Sequence, residues 1–305
     1  MKNLQKLSTE ELEREARRRG IKSVEELTAS DDFMFGALMR RESLCAGVIE
    51  RLLGIRPAKI TYPEIQKTIR PFYGSKGIRL DVLAEDEEGI YNLEIQTSDF
   101  ASLPLRVRYY QSLLDTDSLM KGEKYSTLRR SFIIFICTGD PFGRGLPVYT
   151  FENTCREDFS LGLGDKTVKM FYNVTAWESD KDGERASLLR YMQSGVPTTP
   201  FTARLHKELR AIKDENTFRR EYMMRNIDIE DAIDRGIAQG MAKGMAQGIT
   251  KGMALGMEQN LRSNILGLNR NNVPIGIIAS SVGRTQAEVE EIIRNGTKDS
   301  QSRFL

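Results

Sequence analysis

Histidine is almost missing from this chain. Its single copy, His206, sits in a charged helical stretch (ARLHKELRAIKDE) that reads as solvated surface. That scarcity removes Ser-His-Asp triads, Cys-His proteases and histidine-ligated metal centres together, so any hydrolysis must rest on carboxylates. Cysteine is nearly as rare. Cys45, Cys137 and Cys155 are odd in number, far apart and without a C-x-x-C, which argues for a reducing compartment and against zinc fingers. An excess of one charge is lacking too, because 45 Lys and Arg against 43 Asp and Glu leave a formal net charge of +2. Any contact with a polyanion must therefore come from local patches. No apolar run of about 18 residues occurs, and the segment MKNLQKLSTEELEREARRR is too charged for a signal peptide, so a cytoplasmic protein without a membrane span is expected.

What is present suffices for one sizeable domain plus an appendage, since 40% of 305 residues are apolar. The most informative stretch is Gly77 to Asp99, GIRLDVLAEDEEGIYNLEIQTSD, which reads as two short strands joined by an acidic turn. In the first strand Ile78, Leu80 and Val82 alternate with Arg79, Asp81 and Leu83. In the second, Glu-x-Gln spacing puts Glu94 and Gln96 on one face and Leu93 and Ile95 on the other. If the strands pair so that the turn holds an even number of residues, as with Asp86 opposite Gly89, Asp81 and Glu94 share a face. A three-residue loop at Gly89 would set Asp81 opposite Ile95 instead. By spacing alone the pattern is more often simply the wet side of an antiparallel sheet. Carboxylates on a half-buried pleat must be paired or hold a metal, and two hard oxygen ligands suit Mg2+ or Mn2+.

Along the rest of the chain, Ser8 with Glu11 and Ser23 with Glu26 form capping-box patterns that open two solvated N-terminal helices. Asp32 to Leu53 has helical apolar spacing and ends at Gly54. Asp32 fits its N-cap. Residues 58 to 69 read as a strand or extended loop carrying Glu64, a surface acid or one that the fold brings beside Asp81. Pro104 opens a helix with Arg106, Tyr110, Leu113 and Leu114 at three-to-four spacing and Arg108, Tyr109 and Gln111 turned elsewhere. Such a helix can clamp a phosphate or simply pack. SFIIFIC (Ser131 to Cys137) reads as a central strand, Pro147 to Phe151 and Thr167 to Val174 as further strands, and 184 to 194 and 201 to 224 as helices, the second lying on the surface. From Gly236 to Met257 a glycine recurs every fourth residue, and VPIGIIASSVGRTQAEVEEIIR (Val273 to Arg294) outlines a helix-turn-helix whose acidic second helix suits a protein contact better than DNA.

The Asp, the Glu-x-Gln on the next strand and the helical RVRYYQSLLD resemble the PD-(D/E)XK nuclease superfamily, and within it the Rpn-type recombination-promoting nucleases, a group also labelled transposases. DFMFGALM, SLMKGEKYSTLRRSFIIFICTGDPFGRGLPVYTFENTC and the Gly-rich tail are similar to that family as well, so the likeness covers roughly residues 30 to 225. It implies an α/β fold with a PD-(D/E)XK restriction-endonuclease-like core, a mixed central sheet flanked by helices, and a C-terminal helical appendage. The expected divisions are 1–29, a helical extension; 30–225, the nuclease-like domain; 226–260, a Gly-rich assembly segment; and 261–305, a small helical segment. The resemblance further implies a Mg2+- or Mn2+-dependent DNA endonuclease acting in recombination, mobile-element movement or phage defence. Its ligands would be Asp81, Glu94 and the Ile95 carbonyl, with Gln96 completing the catalytic set and Asp32, Glu64, Arg106, Tyr110 and Gln111 as secondary candidates. Gln96 stands where the superfamily usually has lysine, so Gln96→Lys is expected to keep or raise activity. The alternative is a nuclease fold that no longer cleaves and instead binds DNA or protein. A homodimer through the Gly-rich segment is expected in either case.

Overall fold

The computed structural model describes residues 4–57, 60–65, 67–69 and 78–301. Gly77 and residues 58, 59 and 66 of the expected 58–69 strand lie outside them. The chain forms two compact units, divided between Ile227 and Asp228.

In the first unit, helix α1 (Thr9–Arg18) opens with the expected capping box, Ser8 and Glu11 each taking the other's backbone N–H. Ser23 and Glu26 cap only a single 3-10 turn. Neither segment is peripheral. Leu12, Ala16, Val24 and Leu27 are buried in the main core, and Arg219 ties Glu13 and Glu25 to it at 2.6 and 2.7 Å. The two apolar residues four apart in α1 make a stripe narrow enough to be hidden in sequence among charges. Helices α2 (Asp32–Met39) and α3 (Glu42–Leu53) replace the one long helix expected, breaking at Arg40 and Arg41. Gly54 ends α3 in the left-handed region at φ 69°, as anticipated.

Six strands follow in one mixed sheet: β1 (Thr61–Ile65), β4 (Val82–Glu85), β5 (Gly89–Gln96), β6 (Arg130–Cys137), β7 (Val148–Phe151) and β8 (Thr167–Asn173). Their order is β1-β4-β5-β6-β8-β7, with β5, β6 and β8 parallel and the remaining pairs antiparallel. A separate ribbon pairs β2 (Thr68–Ile69) with β3 (Ile78–Arg79). Helix α4 (Leu103–Ser118) covers one face of the large sheet through Leu103, Val107, Tyr110 and Leu113. The opposite face packs on α2, α3, α5 (Gly183–Ser194), α6 (Pro200–Asp214) and the first turns of α7 (Asn216–Arg270). The expected surface helix 201–224 is thus two helices broken at Glu215, with Phe201, Leu205, Leu209, Phe218 and Tyr222 buried.

The β4–β5 hairpin has the register that places Asp81 opposite Glu94. Val82 pairs with Leu93 and Glu85 with Ile90, and the Asp86 N–H donates to the Gly89 carbonyl across a two-residue tip. Asp86 fixes that tip by accepting the Glu88 and Gly89 amides at 2.9 Å. Gly89 is needed for space: a Cβ there would stand 2.7 Å from the Arg130 carbonyl oxygen in β6. Because backbone cannot swing aside as a side chain can, Gly89→Ala should cost about 1–3 kcal/mol, read as a lower denaturant midpoint with unchanged slope. The first strand, in contrast, is not continuous. It breaks at Leu80 and Asp81, so Leu80 joins Leu83 in the α4-side core while Val82 points to the other.

The second unit, from Asp228, contains most of α7, then α8 (Ile275–Val282) and α9 (Gln286–Gln301). Gly283, at φ 65°, turns the chain between the last two, and Thr285 with Glu288 forms the expected capping box. Ile265, Ile278, Ala279 and Val289 form its small core.

Candidate active site

The break at Asp81 builds the site. With Asp86 and Gly89 exchanging a ladder bond, the alternation of an antiparallel pair would next join Ile95 to residue 80. Instead the Leu80 N–H donates to the Lys67 carbonyl at 2.8 Å, and the Ile95 N–H donates to Asp81 Oδ2 at 3.1 Å. The Asp81 N–H in turn donates to Glu94 Oε1 at 3.1 Å. Two carboxylates have replaced backbone partners where the ladder peels apart, and each is held by an amide next to, or belonging to, the other residue. That geometry locks both side chains against the same pair of peptides.

Burial then sets their charge. Glu94 is 3% exposed, and burial followed by the neighbouring Asp81 charge raises its pKa well above the ordinary carboxylate value. Asp81 is pushed up to about 6, chiefly by burial, while the Ile95 amide, Arg106 and Arg225 pull the other way and Asp32 adds repulsion. Asn92, two residues before Glu94 on the same pleat, favours the ionised Glu94, yet neither atom of its buried amide makes a well-formed hydrogen bond. Two desolvated carboxylates with too little compensating charge form an arrangement that a cation would relieve.

Helix α4 supplies the nearest positive group. Arg106 Nη1 donates to Gln96 Oε1 at 2.6 Å and Nη2 to the Tyr110 hydroxyl at 3.2 Å, while Gln96 Nε2 donates to the Ser98 carbonyl. Gln96 is thus the anchor of a guanidinium, and both Arg106 and Tyr110 belong to the site as secondary members. Asp32 begins α2, with Asp31 in the N-cap position; its carboxylate pairs with Arg225 at 2.9 Å, and both act on the charge of Asp81. Glu64 pairs with Leu83 in the β1–β4 ladder, and its side chain lies outside the described residues. Gln111 does not join. One turn beyond Val107 on the other side of α4, it donates to Ser131 Oγ at 2.8 Å and Asp115 Oδ1 at 2.9 Å.

Arg225 and Asn92 are the members that sequence reasoning missed. Asn92 shares the period-two face with Glu94 and Gln96, so alternation could have found it. Arg225 comes from the start of α7, and no local pattern links it to Asp81.

The bond from Arg106 revises the expectation for Gln96→Lys. An ammonium in that 7% exposed position would face the guanidinium instead of accepting its hydrogen bond. The substitution should lower stability by on the order of 2 kcal/mol or more and depress activity. The exchange Gln96→Lys with Arg106→Gln, which restores one cation and one amide, should recover much of the loss in both thermal melts and cleavage assays.

Comparisons with family models, curated proteins and solved structures find no match to this chain.

Proposed function

We propose that this chain is a cytoplasmic, metal-dependent DNA endonuclease built on a PD-(D/E)XK-type core, of the kind found in Rpn-type nucleases. The observation that carries the reading is the opposed, buried Asp81–Glu94 pair at the point where the hairpin ladder opens, with Arg106 beside it. The donors fit a hard divalent cation: Asp81, Glu94 and the Ile95 carbonyl would hold Mg2+ or Mn2+, which accepts a partial protein shell and keeps waters. When bound, such an ion supplies charge stabilisation to the phosphoryl oxygens of the scissile bond. The chain's own part is to hold two carboxylates rigidly on backbone amides and to aim a guanidinium, fixed by Gln96 and Tyr110, at the same opening. Arg106 thereby offers the positive charge that glutamine at position 96 cannot. The exposed Gly-rich stretch of α7 would join two copies, giving one site for each DNA strand.

Purified protein nicking or linearising supercoiled plasmid with Mg2+ or Mn2+, but not in EDTA or as Asp81→Ala, is the expected result. Equal cleavage by Asp81→Ala would overturn the assignment. The second reading, a nuclease fold that binds DNA or protein without cutting it, draws on one observation: among the described residues no group of three or more His, Cys, Asp or Glu converges as a metal site. Metal-independent DNA binding with no cleavage would favour it.

A further inference from the structure

Across α4 from Arg106 and Tyr110 the first unit has a second concavity, of about 520 Å³, that the carboxylate pair does not use. Its size falls within the range of roughly 300–1,000 Å³ typical of sites for small organic groups. One wall is aromatic. Phe151 is 46% exposed, unusual for a phenylalanine in a strand, and its ring is supported by Phe142 at 5.2 Å and Phe171 at 5.7 Å between centroids. Phe142 is itself fixed edge-on against Phe171 and Tyr149 at 5.0 and 4.9 Å. The exposed ring is therefore backed by others and offers a flat surface at low entropic cost.

Beside Pro104 and Val107 the remaining lining is polar, with Arg108 and Lys169 as cations, Asp115 as the one acid, and Gln111, Ser112 and Asn153 neutral. Arg108 and Lys169 both line the cleft, and neither has a carboxylate within ion-pair distance among the described residues. Lys169 Nζ donates only to Thr167 Oγ1, at 2.6 Å. Asp115 accepts from Gln111 at 2.9 Å, and the buried amide oxygen of Gln111 has no hydrogen-bond partner. A flat aromatic platform, two cations outside any salt bridge, of which Lys169 lies in the field of Asp115 and Asp165, and acceptors in the wall match an aromatic heterocycle carrying N–H donors and an attached anion. An acyl chain would leave the cations and acceptors unused, and a neutral sugar would leave the cations without an anion.

We infer that this cleft receives one unpaired nucleobase, stacked on Phe151, with its adjoining phosphate on Arg108 and Lys169. The inference rests on the DNA reading above. It adds to that reading a preference for strands with extruded or unstacked bases, because a base within a duplex cannot reach the platform. Since α4 bears Arg106 and Tyr110 toward the carboxylates and Arg108 and Gln111 toward the cleft, the two lie about one helix width apart, roughly 10–12 Å. A strand crossing α4 can engage both.

The test is binding by the full-length protein in EDTA, so that it reads without cleavage. Fluorescence anisotropy compares a short labelled single strand, the same strand with abasic sites, and a duplex. Phe151→Ala should weaken the base-bearing strand about fivefold or more while changing the abasic strand and duplex by less than about twofold. Phe151→Trp should retain the wild-type value, which separates a platform from a fold defect. Arg108→Ala should weaken the base-bearing and abasic strands alike and lower the salt dependence of each. Competition by deoxynucleoside monophosphates at concentrations comparable to strand nucleotides would make a free nucleotide the occupant; no competition assigns the site to the strand. Equal loss on both strands in Phe151→Ala, no loss on either, or no DNA binding at all overturns the inference. Base-dependent binding by a protein that cuts nothing would sustain it while removing the nuclease reading.

Discussion

Glu94→Gln and Asp81→Asn should each abolish divalent-metal-dependent cleavage and yet make the metal-free protein more stable. The sign follows from the direction of the shifts. Both carboxyls have folded-state pKa values above their ordinary ones, Asp81 moving from 3.8 to about 6 and Glu94 well above 4.5, through burial and mutual repulsion. The folded chain therefore holds protons that the unfolded chain releases. Stability is full below the unfolded values and is lost as pH rises through the folded ones, so metal-free protein should weaken from about pH 4 to beyond pH 6. At pH 7.5 a neutral amide at either position removes a desolvated charge at nearly constant volume. The gain should be on the order of 1–3 kcal/mol, after discounting Asp81 for its partial exposure, or roughly 3–10 °C in melting temperature. Adding Mg2+ should raise the melting temperature of the unaltered protein and leave the two variants unmoved, because a ligand stabilises only the state that binds it. Calorimetry with EDTA and with excess Mg2+ decides the matter. A variant that melts lower than the parent and still cleaves would make these carboxylates structural.

Much of this site was legible because alternation and turn chemistry are local. The opposition of Asp81 and Glu94 follows from period two plus a two-residue tip, one of the two loop lengths open in the sequence, whereas the need for glycine at 89 emerges only from its approach to Arg130 in the fold. The break at Leu80 and Asp81 was not legible, since it arises when side-chain oxygens outcompete carbonyls for the Ile95 and Asp81 amides. Nor was the partner of Gln96. Its spacing made it a candidate water-orienting residue, whereas the fold uses it to hold Arg106 from a different element. Gln111 shows the reverse: its position on α4 is five residues from Arg106, which at 100° per residue turns it well away from the carboxylates. The N-terminal helix misled through composition, because two buried positions in ten suffice to dock it while charges dominate the count.

The Gly-rich segment should hold two copies of the chain together, and its close-packed seam should fail when the glycines acquire side chains. Glycine at 236, 240, 244, 248, 252 and 256 lies within one continuous helix, and a Cβ at any of them would meet nothing within 4 Å. Every residue from 232 to 260 is exposed, including Ile237, Met241, Met245, Ile249, Met253 and Met257, which are 56–72% exposed. Six interior glycines oppose such a helix by about 5–6 kcal/mol relative to alanine, and an isolated copy has no packing to offset that. The row of Ile and Met beside the glycines is the apolar surface that can do so when a second α7 lies against it. A period of four exceeds 3.6, so the seam drifts by about 40° per repeat and favours a right-handed crossing, where small residues let two backbones approach. Replacing Gly240, Gly244 and Gly248 with leucine raises helix propensity by roughly 2–3 kcal/mol in sum and blocks that approach. Light scattering at micromolar concentration should find a dimer for the parent chain and a monomer for the triple variant, whose helicity should not fall. Truncation should behave likewise if the chain is cut after Ile227, which is fully buried in the first unit and must be kept. A triple variant that stays dimeric would move the interface elsewhere, and a monomeric parent would leave α7 an exposed connector.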